Sequence, residues 1–232
     1  MISITLDDRL LSAAEYVRQD AHLADIGTDH ALLPIFLLES GRVKMAHLAD
    51  INEGPLAAAR ENVNAHGLTD SVVYHLTDGC AALSGLGITD YTVCGMGGEL
   101  IAAIIDRAPH LKDPSVRLIL QPMSRQSILR RYLAESGFRM LSERYTYAAG
   151  KYYVTILAEY SGEGRVLDFA ASEIGAADEI IGDEAYLGYL KGKLASFCRE
   201  RDGKLKGGSY QGELDLIIPA IENRIAEYEA KH

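Results

Sequence analysis

Four short stretches carry side chains suited to gripping a small ligand: Asp25-Ile-Gly27-Thr28-Asp29-His30, Asp50-Ile51-Asn52, Asp78-Gly79 and Gly95-Met96-Gly97-Gly98. Each closes an apolar run of strand length, and in an open parallel sheet ligands collect beyond the carboxyl ends of the strands. Gly27 lets backbone approach a ligand where a Cβ would collide. Asp50 lies 25 residues beyond Asp25, close to the spacing at which an acid accepts hydrogen bonds from ribose hydroxyls. Asp78 is placed to accept from the exocyclic amine of an adenine, and the glycines around Met96 leave room beside the ligand's middle. A dinucleotide turn carries three glycines and cradles a pyrophosphate at a helix N-terminus. Here one glycine is followed by Asp29, which repels phosphate and favours an ammonium or a sulfonium. Taken singly, each feature has a plainer reading: Asp29 as a helix N-cap, His30 as a first-turn residue, Asp78-Gly79 as an ordinary turn, Cys94 as a buried small hydrophobe. Four of them at four successive strand ends, in chain order, favour a site.

The elements that must position these residues are legible from periodicity. Strands are predicted at 22–27, 44–51, 71–78, 91–96 and 116–123, apolar nearly throughout, as in a sheet buried on both faces. Helices are predicted near 6–18, 30–40, 54–66, 98–108 and 125–136. This alternation gives parallel strands joined by right-handed crossovers. After residue 137, "FRMLSERYTYAAGKYYVTILAEY" reads as two strands around a tight turn, which must be antiparallel because a parallel crossover needs a dozen or more residues. Five parallel strands ending in an antiparallel hairpin resemble the α/β, Rossmann-like sheet of the S-adenosylmethionine-dependent methyltransferases, and the expected ligand, S-adenosylmethionine, carries an ammonium and a sulfonium but no phosphate.

The last 70 or so residues differ. Leu187, Leu190, Leu194 and Phe197, then Leu214, Ile218, Ile221, Ile225 and Tyr228, follow heptad seams separated by "DGKLKGGSYQG". They predict a small C-terminal helical hairpin, with Pro219 kinking the second helix or delaying its start. The expected organisation is a cofactor-binding domain over 1–160 and the hairpin over 161–232.

The chain of 232 residues has a net charge of −10, which argues against a polyanionic partner until its distribution is considered. Seven bases face two acids between Arg117 and Lys151, and six face two between Tyr186 and Lys206. The N-terminus reads as no secretion signal, and the longest apolar run, "ALLPIFLL", is far short of the roughly 20 residues that cross a bilayer. Cys80, Cys94 and Cys198 are odd in number and lack metal spacing. A reduced, cytoplasmic protein without a metal site is expected, as a monomer or weak dimer.

"ADIGTDHALLP", "DGC" in place of a usual Asp-Gly-Leu, "VCGMGGELI" and "RLILQP" closely resemble the bacterial tRNA adenine N1-methyltransferases that modify the adenine at position twenty-two, over nearly the whole chain. The resemblance implies S-adenosylmethionine held by Asp25, Gly27, Thr28, His30, Asp50, Ile51, Asn52, Asp78, Gly79, Gly95, Met96 and Gly97. It implies tRNA as substrate, with Gln121, Pro122, Arg125, Arg130, Lys151 and Tyr152 on the RNA side and a second basic grip from Lys191 to Lys206. Enzymes that methylate an exocyclic amine commonly carry an Asn/Asp-Pro-Pro-aromatic loop after the fourth strand. Gly95-Met96-Gly97-Gly98 stands there instead, and adenine N1 has an in-plane lone pair that needs no base, only positioning. Asp29 is the candidate catalytic residue, stabilising the cationic methylated adenine; holding the methionine ammonium or shaping the turn are its alternative roles. The family generally reads Leu-Gln-Pro-Asn after the fifth strand, and Met123 replaces that Asn. Other readings are a methyltransferase on another RNA site or a small molecule, or a non-catalytic RNA-binding relative. The last predicts gaps at the strand-end acids, yet Asp25, Asp50 and Asp78 are all present.

Overall fold

Asp7 accepts the Leu10 N–H on its carboxylate at 2.8 Å and opens α1 (Asp8–Tyr16), as an N-cap does. From there the computed structural model, which describes residues 4–212 and 214–230, alternates strand and helix. Residues 1–3, the first of the stretch read for a secretion signal, lie outside the described residues. The alternation runs β1 (Ala21–Ile26), α2 (Leu32–Glu39), β2 (Val43–Asp50), α3 (Glu53–Ala65), β3 (Val72–Leu76), β4 (Asp90–Gly97), α4 (Gly98–Asp106), β5 (Arg117–Ser124) and α5 (Gln126–Glu135). Then come the hairpin β6 (Phe138–Ala148) and β7 (Lys151–Tyr160), α6 (Phe169–Ile174), β8 (Glu179–Ile181), α7 (Asp183–Lys206) and α8 (Ile217–Glu229).

The strands form one sheet in the order β3-β2-β1-β4-β5-β7-β6-β8. β1 to β5 are parallel, β7 is antiparallel to β5 and β6, and β8 adds parallel to β6. The predicted sheet is therefore present. Leu118, Ile119 and Leu120 are all fully buried although successive strand residues point to opposite faces. Leu118 and Leu120 meet α4, α5 and the C-terminal helices, while Ile119 faces the core of α1, α2 and α3. That two-sided burial is why the strands read as unbroken apolar runs.

α1 lies across the far half of the sheet. Its Ser12 hydroxyl bonds that of Thr155 at 2.6 Å and its Tyr16 hydroxyl that of Ser142 at 2.7 Å. Just beyond its end, the Arg18 guanidinium grips the fully buried Asp90 at 2.6 and 2.8 Å. α7 and α8 pair antiparallel, Tyr186 near the start of one meeting Tyr228 near the end of the other with ring centroids 5.2 Å apart. Pro219 falls in the first turn of α8, where its missing N–H is harmless. The α7 stripe is built on Tyr186, Tyr189 and Leu190, with Leu187, Leu194 and Phe197 only partly buried. α6 and β8 are additions to the predicted elements; six and three residues are too short for periodicity to reveal. Among the described residues no helix is long and apolar enough to cross a membrane, and no group of three or more His, Cys, Asp or Glu could hold a metal ion.

Candidate active site

After β1 the chain does not enter its helix at once. The Gly27 and Thr28 N–H groups both donate to the Ala49 carbonyl, at 2.7 and 3.2 Å, so the turn stays hooked over β2 with Gly27 at φ +73°. Ala31 then takes a left-handed conformation and α2 begins at Leu32. Asp29 and His30 therefore occupy a loop: Asp29 is no N-cap, and His30 precedes the first helical turn. Both side chains are exposed, Asp29 to 78%, with His30 Nε2 3.6 Å from its carboxylate. Asn62 of α3 donates to the His30 carbonyl at 3.0 Å and supports the loop.

Asp25 lies below. Its carboxylate accepts the Thr92 hydroxyl at 2.7 Å, and burial holds its pKa above the ordinary range. The Thr28 hydroxyl is buried next to it, and with Thr92 it partly offsets the effect of burial. Opposite, at the end of β4, pairing with β5 slips between Cys94 and Met96, and Gly95 bulges out at φ +81° with open space where a Cβ would be. The Gly95 N–H donates to Gln121 Oε1 at 3.1 Å. Gly98 has a different purpose, since a Cβ there would strike the Arg125 carbonyl.

Between these strand ends lie two adjoining cavities. The larger, of about 290 Å³, is lined by Asp25, Thr28, Asp29, His30, Cys94 and Gly95, among others, and also by Arg9 and Leu10 from α1. The second, of about 210 Å³, is lined by Asp50, Ile51, Asp78, Gly79, Leu100 and Ile104. Gly27 and Met96 border both, with the Met96 methyl seated where a Cβ on residue 27 would be. One elongated ligand would fill both once this flexible side chain moved. Asp50 accepts the Asn52 N–H at 2.8 Å, which leaves its other oxygen for a ligand. Asp78 is paired with Arg107 through two contacts, one at 3.2 Å, a partner that sequence spacing does not suggest.

The RNA-side residues divide. Arg125 is exposed and left-handed at φ +56°, with Glu99 3.9 Å away. Lys151 and Tyr152 sit at the β6–β7 tip, which β7's antiparallel run places at the same sheet edge as the cavities. Tyr152 rests on Gly188 of α7, and its ring is 4.8 Å from that of Tyr147. Arg130 is a correction. It is fully buried, donating to Glu143 at 2.8 and 3.0 Å and to the Ser172 carbonyl at 2.9 Å, so it touches no phosphate. Gln121 and Pro122 are buried too and present nothing to an RNA surface. On α7, Lys191, Lys193, Arg201 and Lys204 each have an acidic partner, Glu229, Glu173, Asp202 and Glu200, which weakens the proposed second grip. Arg9 was the missed residue: it is 112 positions from the Gln121 that it contacts, and no local pattern announces such a pairing.

A sheet of this order with a cleft between β1 and β4 defines a class, the Rossmann-like methyltransferases, and a sequence model of that family, the methyltransferase domain, matches residues 6–156. The tRNA (adenine(22)-N(1))-methyltransferase of Bacillus subtilis (strain 168) is 31% identical over 159 residues, 68% of this chain and 67% of that one. Among solved structures, Streptococcus pneumoniae Sp1610 in complex with S-adenosyl-L-methionine superposes with a TM-score of 0.80 at 30% identity, covering 95% of this chain and 100% of that one. A Streptococcus agalactiae protein of the NADB-Rossmann superfamily gives 0.77 at 28% identity, covering 99% and 98%. The chain belongs to the family of tRNA (adenine-N1)-methyltransferases.

Proposed function

We propose that this protein transfers a methyl group from S-adenosylmethionine to N1 of adenine 22 in tRNA. The observation that carries the reading is the wall of the larger cavity. Asp25 is a buried carboxylate whose short hydrogen bond comes from the Thr92 hydroxyl, with the buried Thr28 hydroxyl beside it as a weaker donor. A ligand ammonium would be attracted to that carboxylate. S-Adenosylmethionine, when bound, supplies an activated methyl group on its sulfonium. Asp50 is placed for ribose hydroxyls, Ile51 and Leu100 for the faces of its adenine, and Asp78, oriented by Arg107, for the adenine amine. Gly95 leaves open space at the cavity wall where the target base must approach.

No residue has to deprotonate adenine N1, so the work of the chain is alignment. Asp29, at the mouth, stabilises the cation that methylation creates. A carboxylate 4 Å from a charge contributes about 1 kcal/mol in water and more once the RNA covers it. Arg125, Lys151 and Tyr152 hold the RNA by phosphate contact and stacking. Residues 1–160 bind the cofactor and 161–232 flank the RNA, and the enzyme acts in the cytoplasm as a monomer or weak dimer.

Nucleoside analysis of tRNA incubated with enzyme and cofactor tests the reading. The expected product is N1-methyladenosine; N6-methyladenosine as the primary product would overturn it. In the same assay Asp29→Ala is expected to lower turnover at least about fivefold, the factor that 1 kcal/mol supplies, while cofactor affinity holds. Lost cofactor binding with an unchanged single-turnover rate would remove Asp29 from the chemistry.

A further inference from the structure

The tip of the β6–β7 hairpin carries two aromatic rings that the core does not enclose. Tyr147 and Tyr152 stand directly opposite each other, next to the Ala148–Lys151 pair that closes the hairpin. Their ring centroids are 4.8 Å apart and the planes are tilted by 46°. Tyr145 lies two residues back on the same face and is buried against Tyr186 and Tyr189. Tyr147, by contrast, is 54% exposed and Tyr152 40%. The hairpin thus runs past the core and ends in open aromatic surface. α7 supports that surface from below. A Cβ on Gly188 would strike the Tyr152 ring, so a poor helix former inside α7 is what lets the ring lie on the helix. The hairpin also suits a polyanion: the chain holds no acid between Glu143 and Glu159, and Lys151 is exposed beside the rings.

Register places the pair relative to the cleft. Leu120 of β5 is opposite Ile156 of β7, and continuing that pairing by four residues brings Tyr152 level with Ser124, the partner of Gly97 on β4. Two strand spacings therefore separate the tip from the end of β4, roughly 10 Å. That is too far for the rings to seat the base being methylated. We infer that Tyr147 and Tyr152 form a stacking platform for an unpaired nucleobase near the target adenine but distinct from it, and that Gly188 is the positioning residue that sets the platform on α7. The inference rests on the tRNA reading above and deepens it. Every base has a π face, so such a platform holds RNA without reading its sequence, and it requires a base free of pairing. It also gives α7 a part in RNA binding that its acid-paired lysines and arginine do not supply.

The chain has no tryptophan, so Tyr147→Trp puts a single indole reporter in the platform. Its emission is expected to be quenched by tRNA and by a short single-stranded RNA, and far less by an RNA duplex. Tyr147→Leu and Tyr152→Leu should each raise the KM for tRNA about 5- to 150-fold, the range for truncating an aromatic that stacks on a base, with kcat and S-adenosylmethionine affinity held. The corresponding Phe variants keep the π face and should restore tight binding. Gly188→Ala should raise the KM in wild type but add nothing to Tyr152→Leu, since it acts through that ring. A wild-type KM in both Leu variants would overturn the platform. So would a lowered thermal midpoint as their only change, which would leave the pair a cross-strand brace, or unchanged indole emission with tRNA bound. Wild type that retains no tRNA in filter binding would overturn the tRNA reading itself, and the platform with it.

Discussion

Asp25 and Asp29 stand four positions apart, and the Gly27 turn sends one carboxylate into the protein and the other into solvent, as the roles proposed for them require. Burial raises the Asp25 pKa above the ordinary 3.8, so the free protein binds that proton more tightly than the unfolded chain does. The sign follows. Asp25's contribution to stability is present below the unfolded value and is lost as pH rises through the folded one. The ionised form, disfavoured by burial, is the one that an ammonium stabilises. Cofactor affinity is therefore expected to fall as pH drops through the raised pKa, with proton release on binding in that range. Titration calorimetry in buffers of different ionisation enthalpy measures this, and Asp25→Asn should flatten the profile and weaken binding at neutral pH. A variant with the wild-type pH profile would show that Asp25 is not the linked group. Arg125 and Met123 are exposed as well, and Met123 replaces the family's Asn.

The elements were legible where burial imposes a period. Parallel strands covered on both faces leave apolar runs, and the strand ends carry the polar remainder, so the sheet and the acids at Asp25, Asp50 and Asp78 could be read without coordinates. Two kinds of feature could not. Contacts of long sequence separation, such as Arg9 with Gln121, depend on how α1 crosses β5 and β7. Charged residues that are buried look like surface ones, because Arg is almost never fully buried unless paired, and the Glu143 that pairs Arg130 lies on another element. That pair joins α5 to β6, and through the Ser172 and Glu173 carbonyls to α6. Removing one partner strands a buried charge. Arg130→Met is thus expected to destabilise the fold by about 3–5 kcal/mol, read from denaturant melts, with tRNA affinity per folded molecule unchanged. Undiminished stability with weakened RNA binding would restore Arg130 to the RNA surface.

At the scale of the whole molecule, an acidic protein binding RNA has to concentrate its free bases. Lys191, Lys193, Arg201 and Lys204 of α7 are paired with acids, while Lys151, and Arg125 with Glu99 3.9 Å away, stand at the sheet edge that holds the cavities. α7 and α8 share one core with α4 and α5 through Tyr186, Tyr189, Leu190 and Ile221, which fixes their surface relative to the cleft. In the proposed function, cofactor at the ends of β1 and β4, RNA along the edge formed by α5 and the β6–β7 tip, and the target base entering at Gly95 make a single path for methyl transfer. The most direct test is single-turnover transfer of labelled methyl to two tRNA transcripts that differ only in adenine or guanine at position 22. N1-Methyladenosine from the first and no transfer to the second are expected. Equal labelling of both would contradict the proposed function.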